Sequence, residues 1–284
     1  MKIDFRIHSV SHFVKHLLGH FLWVFKNNKC PELLVLNYHG TQKKFIFNFE
    51  EQIIFLLSCY EFVSPKEFEN FLNSSQKCNG KKILLTFDDG IRNNKQVFDV
   101  LRKYNISAIF FIIPGFVDTL ESRQKEYFLK NIRPVTNQHI DCEDEDFQSL
   151  AWEDVMKLSE DHKIGCHTYN HIMSVESSFE DLVNEIVESK IQIEKKCDLK
   201  INSFCSINNT ARSVNKVAFS VIMNNYESHY TTFPGNNLLG NSFLIRRINI
   251  ESHWLIGAVK LALSPIDWLR WTNKFNSYRK YISN

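Results

Sequence analysis

Ile83-Leu84-Leu85-Thr86-Phe87-Asp88-Asp89-Gly90 is the stretch on which the reading of this chain turns. Three apolar residues in a row, then Thr-Phe, describe a strand buried on both faces, as in a parallel sheet covered by helices. That strand runs straight into two adjacent carboxylates and a glycine. Burying acids costs stability unless they face a cavity, bind a cation or meet donors. In parallel α/β folds the C-terminal strand ends are also where ligands and substrates bind.

A second constellation, His167-Thr168-Tyr169-Asn170-His171, follows the short strand-like run Lys163–Cys166. Two imidazoles four residues apart are expected on one face of a helical turn, within reach of a single metal ion. Alone, this pair is a weak signal, because surface histidines meet that spacing by chance. Its weight comes from the Asp-Asp-Gly strand end that precedes it.

Together the two stretches resemble the polysaccharide deacetylase family (NodB homology, carbohydrate esterase family 4). The family's first motif, TFDDG, is intact at Thr86–Gly90, and its second, H(S/T)xxH, is intact at His167–His171. The resemblance implies that Asp89, His167 and His171 hold a divalent metal, with Zn2+ expected, and that Asp88 is the general base. The third motif, an Arg-Pro-Pro-Tyr or Ala-Tyr-Pro-Tyr-Gly type run, should fall at Ser203–Asn209, where only Phe204 matches. The final Leu-x-His, which carries the general acid, has no clean counterpart. Leu244-Ile245-Arg246-Arg247-Ile248 looks like the Arg-Ile variant of shorter members.

For the missing acid, His39 and His253 are the candidates, and Tyr38-His39 matches the Tyr-His pair of similar deacetylases. Tyr38, Ile207, Asn208 and Arg247 are the candidate substrate contacts, with Ile207-Asn208 standing where relatives place an aromatic Pro-Tyr wall. The activity implied is removal of acetyl from an N-acetylated amino sugar of a polysaccharide or lipid-linked glycan precursor. Two other readings stand beside it: a catalytically silent relative that retains the metal as a sugar-binding module, and a hydrolase of another acyl or amide C–N bond.

The bulk properties bound these readings. At 284 residues, 44% of them hydrophobic and 23% charged, the chain can build one large α/β domain with a sizeable core. Its seven cysteines are odd in number and form no CxxC, so neither a disulfide framework nor a zinc ribbon is indicated. Free thiols, no run long enough to span a membrane and no signal-peptide pattern lead to the expectation of a cytoplasmic protein. No nucleic-acid partner is expected, and the oligomeric state is open.

Between the ends, elements alternate in a βα rhythm. Strands are expected at Leu33–Asn37, Phe62-Val63, Ile83–Phe87 and Ala108–Ile113, and helices at Phe49–Tyr60, Pro65–Asn73, Asn93–Tyr104, Trp152–Ser159 and Phe179–Lys196. The polar stretch Asp118–Gln148, with its acid run Asp141–Asp146, reads as a lid or a solvated loop. The fold expected is an irregular (β/α)7 barrel of the NodB-homology type, in which right-handed connections bring Asp89 and His167 to one rim.

The expected boundaries are an N-terminal amphipathic helix in 1–30, the barrel in 31–252, and a basic, aromatic tail in 253–284. Each end carries five Lys/Arg against one acid, so the ends sum to +8 while the chain as a whole is +2. In the first segment Phe13, Leu17 and Phe21 mark the apolar face, and His8, His12, His16 and His20 form a stripe expected to be solvated. Trp254, Trp268 and Trp271 stand among the C-terminal bases. Basic and aromatic ends suit either peripheral contact with the inner face of the cytoplasmic membrane or packing on the barrel.

Overall fold

Every residue of the first strand is buried, as the run Leu33–Leu36 requires: apolar on both faces, it is stable only between a packed interior and covering helices. The computed structural model describes residues 10–25, 31–73, 78–133, 142–238 and 241–283. Its strands are β1 (Glu32–Tyr38), β2 (Glu61–Phe62), β3 (Lys81–Phe87), β4 (Ala108–Ile112), β5 (Lys163–Cys166), β6 (Ser203–Cys205), β7 (Ser228–Tyr230) and β8 (Ile248–Asn249). All pair in parallel, in the order β7-β6-β5-β4-β3-β1-β8, with the short β2 beside β3. One segment closes the ring: Ile245 bridges to Tyr230 of β7, and three residues on, Ile248 and Asn249 pair with Leu36 and Asn37 of β1. This is the expected α/β barrel, with seven strands on the path and β2 outside it.

Alternation along the strands sorts the core into two layers. Leu33, Val35, Leu84, Ile109, Phe111, Cys205 and Tyr230 gather in a compact inner cluster. Leu34, Leu36, Ile83, Leu85, Phe110 and Ile112 join the larger layer beneath the helices. The register then builds the rim. Tyr38 pairs with Phe87 and Ile112 with Cys166, so His39, Asp88 and His167 all emerge at strand ends on the same side.

Several expectations change. The span Phe179–Lys196 is helical but interrupted by a π-helical turn at Asn184–Glu188. The stretch Asp118–Gln148 is no bare loop: it holds a helix at Glu121–Tyr127, a π turn at Phe128–Ile132 and a 3-10 turn at Asp144–Phe147. Phe128, Ile132 and Phe147 pack there with Ile91, Ile113 and Phe116, so apolar residues spaced irregularly anchor a segment that looked polar. Residues 134–141, including Asp141 of the acid run, lie outside the described residues. The C-terminal tail is two helices, Ile256–Ala262 and Pro265–Ser283, and it buries Trp268, Phe275 and Tyr278 in the main core.

The N-terminal helix, Val10–Val24, departs furthest from expectation. Its histidine side, not its apolar side, meets the protein. Gly257 N–H donates to His16 Nδ1 at 3.2 Å, and Lys260 Nζ lies 3.2 Å from His20 Nδ1. His8 and the side chain of His12 fall outside the described residues. Two glycines permit the crossing: a Cβ on Gly19 would stand 1.7 Å from the Gly257 carbonyl oxygen, and one on Gly257 would stand 2.1 Å from the His16 carbonyl oxygen. Phe13, Leu17 and Phe21 are left exposed.

Gly19→Val is therefore expected to push this helix off Ile256–Ala262 without unfolding the barrel. Hydrogen exchange should show residues 10–25 losing protection by at least about ten-fold, the equivalent of about 1.4 kcal/mol. Unchanged protection there would mean that the glycine crossing does not hold the helix.

Candidate metal centre

At the end of β3 the backbone turns into the left-handed region twice, with φ +73° at Asp89 and +64° at Gly90. Asp tolerates that conformation and Gly adopts it freely. The turn separates the two carboxylates, both 2% exposed. Asp88 continues the inward side of the strand and meets Arg247, whose Nη1 and Nη2 donate to its two carboxylate oxygens at 2.7 and 2.9 Å. Asp89 swings the other way, to within 3.5 Å of His167 Nε2 and 3.6 Å of His171 Nε2.

The histidines reach it through a turn, which corrects the expected helical arrangement. His167 is anchored where β5 ends, its N–H donating to the Ile112 carbonyl at 2.9 Å. Thr168 and His171 then take φ of +66° and +59°, and His171 N–H donates to Thr168 Oγ1 at 2.9 Å. Each ring's second nitrogen is held by a backbone carbonyl: His167 Nδ1 by Cys205 O at 3.0 Å, and His171 Nδ1 by Asn131 O at 2.8 Å. With both Nδ1 atoms facing backbone carbonyls, both Nε2 atoms point toward Asp89, the orientation that metal-ligating histidines adopt. Asn131 comes from the segment that had looked like a loop.

Electrostatics agree with a cation between these groups. Burial works against charge on His167, yet Cys205, Asp88 and Asp89 outweigh it and raise its proton affinity well above the ordinary value. A divalent ion on the same nitrogen would supply that positive charge instead. Burial likewise raises Asp88, but the Arg247 charge and hydrogen bonds prevail and hold its carboxyl below the usual range. The donor set Asp89, His167 and His171, with its ligand atoms within 4.8 Å of one another, therefore fits a divalent metal.

A cavity of about 340 Å³ opens over this group, and His39, Arg133, Asn208 and Arg247 line it. His39 is partly buried, with Nδ1 3.7 Å from Glu251 Oε1. Burial first, and Arg133 second, push its imidazole below its ordinary value despite the nearby acids. A larger groove of about 740 Å³, lined by Glu67, Arg102 and His162 among others, holds none of the motif residues.

Other expected substrate contacts are corrected. Tyr38 lies in the core, packed against Phe49 and Phe87, and its hydroxyl donates to Gln52 Oε1 at 3.0 Å. Ile207 is buried in the same layer; only Asn208, next in the chain with φ +47°, reaches the pocket. Arg247 does line the cavity, and its guanidinium is held there by Asp88, Asn37 Oδ1, Thr86 Oγ1 and the Thr231 carbonyl. His253 packs at a tilt against Phe45 and lines a neighbouring cavity, not the metal pocket.

One residue was missed. Glu185, in the π turn, accepts from the N–H of Asn170 at 2.8 Å and of Ile172 at 3.4 Å, and from Asn170 Nδ2 at 3.2 Å. It ties down the backbone on either side of His171. The signal was present: an acid on the buried stripe Leu182, Glu185, Ile186, Ser189, Ile193 has no place there without donors to meet. Gly115 completes the fit, since a Cβ there would stand 2.7 Å from the Tyr169 carbonyl oxygen.

Comparison with known proteins follows the motifs. The polysaccharide deacetylase family model matches residues 75–217. A peptidoglycan-N-acetylglucosamine deacetylase of Bacillus cereus is 34% identical over 119 residues, 41% of this chain and 42% of that protein. A putative polysaccharide deacetylase of Bacillus subtilis, YxkH, is 34% identical over 101 residues, 32% of this chain and 35% of that protein. The match thus spans less than half the length of these curated relatives. Among solved structures, IcaB from Ammonifex degensii aligns with a TM-score of 0.64 at 20% identity, covering 82% of this chain and 98% of that one. The Streptococcus pyogenes deacetylase PplD in complex with acetate gives 0.62 at 18%, covering 82% and 99%. At those identities the likeness is one of fold.

Glu185→Ala is expected to weaken Zn2+ binding by about 10- to 100-fold, as loss of outer-shell support does, with Glu185→Gln closer to the native protein. Titration calorimetry on the apo proteins measures it; equal affinity in all three would remove Glu185 from the site.

Proposed function

The chain belongs to the polysaccharide deacetylase family, and from that premise we propose that it is a metal-dependent N-deacetylase of an acetylated amino sugar. The observation that carries this reading is the division of labour between adjacent acids. Asp88 is held ionised by Arg247, while Asp89 faces two oriented Nε2 atoms. The similarity to the Bacillus cereus peptidoglycan-N-acetylglucosamine deacetylase supports the substrate class.

Asp89, His167 and His171 would hold the ion. Bound there, a divalent cation such as Zn2+ supplies polarisation of the amide carbonyl and acidification of water. Asp88 accepts the proton of the attacking water; the guanidinium keeps it ionised at neutral pH and aims its oxygens. His39 donates a proton to the departing amine. Its lowered proton affinity makes neutral imidazole the resting form, so the proton that Asp88 takes from water passes on to it before it can be donated to the amine, and Glu251 beside Nδ1 stabilises the imidazolium. Asn208 borders the space in which the sugar sits, in place of an aromatic wall.

Acetate release from N-acetylglucosamine oligomers tests the reading: it should vanish on chelation and return with added Zn2+. Zinc bound without acetate release from any acetylated glycan would favour a silent sugar-binding relative, and turnover of other amides alone would favour the broader hydrolase. His39→Gln is expected to lower kcat by about 100- to 10,000-fold with zinc stoichiometry unchanged. A smaller loss would place the acid elsewhere.

A further inference from the structure

The N-terminal helix is docked inside out. With about 100° between successive residues, Phe13, Val14, Leu17, Leu18, Phe21 and Val24 fall within one arc of about 140°, and their exposures run from 43% to 80%. His16, Gly19, His20 and Trp23 occupy the opposite side, against the helix Ile256–Ala262 and Phe55. The glycine crossing locks this orientation. Rolling the helix to bury its apolar arc would replace Gly19 with a branched or aromatic side chain where the Gly257 carbonyl leaves no room for even one carbon.

We infer that this arc is a docking face for an anionic lipid bilayer. A scattered apolar residue on a surface needs no explanation, whereas a continuous stripe along a pinned helix does. Charge selects the occupant. The helix Val10–Val24 contains no acid, and residues 1–30 with 253–284 hold ten Lys/Arg against two acids. Exposed among these are Lys15, Lys274, Arg279 and Lys280. A second copy meeting the same face would bring two such cationic ends together; an anionic surface would attract both. An apolar stripe flanked by Lys15, on a helix without acids in a chain whose ends are cationic, is the pattern of a helix lying in the interface plane. Among the described residues no helix is long and apolar enough to cross a membrane.

Docking would also set the position of the pocket. Lys15 lines a cavity of about 300 Å³ with Gly40, Glu251 and Trp254, and Arg133 borders both this cavity and the one over the candidate metal centre. A bilayer against the helix would thus lie beside the pocket mouth, where an acetylated glycan carried on a lipid is presented. That last step rests on the proposed deacetylation; the adsorption does not.

Co-sedimentation of the full chain with phosphatidylcholine vesicles, with and without phosphatidylglycerol, tests the adsorption at low and high salt. The wild type should pellet with the anionic vesicles at low salt and be partly released at high salt. Leu17→Glu with Phe21→Glu should cut the bound fraction by at least about ten-fold. Both positions are exposed, so circular dichroism and turnover of a soluble substrate should be unchanged. Wild type left in the supernatant at low salt, or a double variant that pellets equally, overturns the inference. So does a wild-type dimer that the double variant dissolves while neither protein binds vesicles, which would assign the face to a second copy.

Discussion

Two carboxylates side by side in the chain, each 2% exposed, are the constraint around which this barrel is built. Neither can stay ionised in that setting without a positive partner, and leaving one unpaired costs several kcal/mol, on the order of 3 to 5. Asp88 finds its partner in Arg247, whose guanidinium is itself fixed by Asn37, Thr86 and Thr231. Those three residues sit on or just after β1, β3 and β7, so the ion pair ties together the strands that Arg247's own segment joins when it closes the ring. Barrel closure and the electrostatics of the site are in this sense one feature. Asp89 has no guanidinium; it has two imidazoles whose Nε2 atoms face it.

Much of this was legible. Buried runs such as Leu33–Leu36 and Ala108–Ile112 announce parallel strands, and Asp-Asp-Gly after such a run announces a rim. Other elements were not legible for physical reasons. The Ser228–Tyr230 strand is polar by composition, and it is buried only because Ser203 Oγ meets Ser228 Oγ at 2.8 Å and Ser206 Oγ meets His229 Nε2 at 2.8 Å, pairings that long-range register creates. The His167–His171 spacing suited a helix equally well, and the choice of a turn depends on Glu185 and Gly115, distant in sequence. Tyr38 and Ile207 were assigned to a groove by analogy of position, whereas strand alternation sends Tyr38 toward the helical layer with Leu34 and Leu36, and Ile207, beyond the end of β6, is buried in that layer too.

The amphipathic N-terminal helix shows a different limit. Periodicity reported correctly that one side is apolar, but not which side meets the protein. That was decided by Gly19 and Gly257, two residues whose importance is an absence of side chain and which no hydrophobic pattern weights. A helix held by backbone proximity on its polar side and left apolar outside is a local conflict with burial, and such conflicts concentrate where a protein meets something else.

The account stands on Asp88 and Asp89 having different jobs, and zinc titration of Asp88→Asn and Asp89→Asn by calorimetry separates them most directly. Asparagine keeps the shape and an acceptor for Arg247, so Asp88→Asn should bind zinc within about ten-fold of the native protein while Asp89→Asn loses at least about 100-fold. Equal losses, or a greater loss in Asp88→Asn, would show that the guanidinium does not mark the base and that the division of the two acids is wrong.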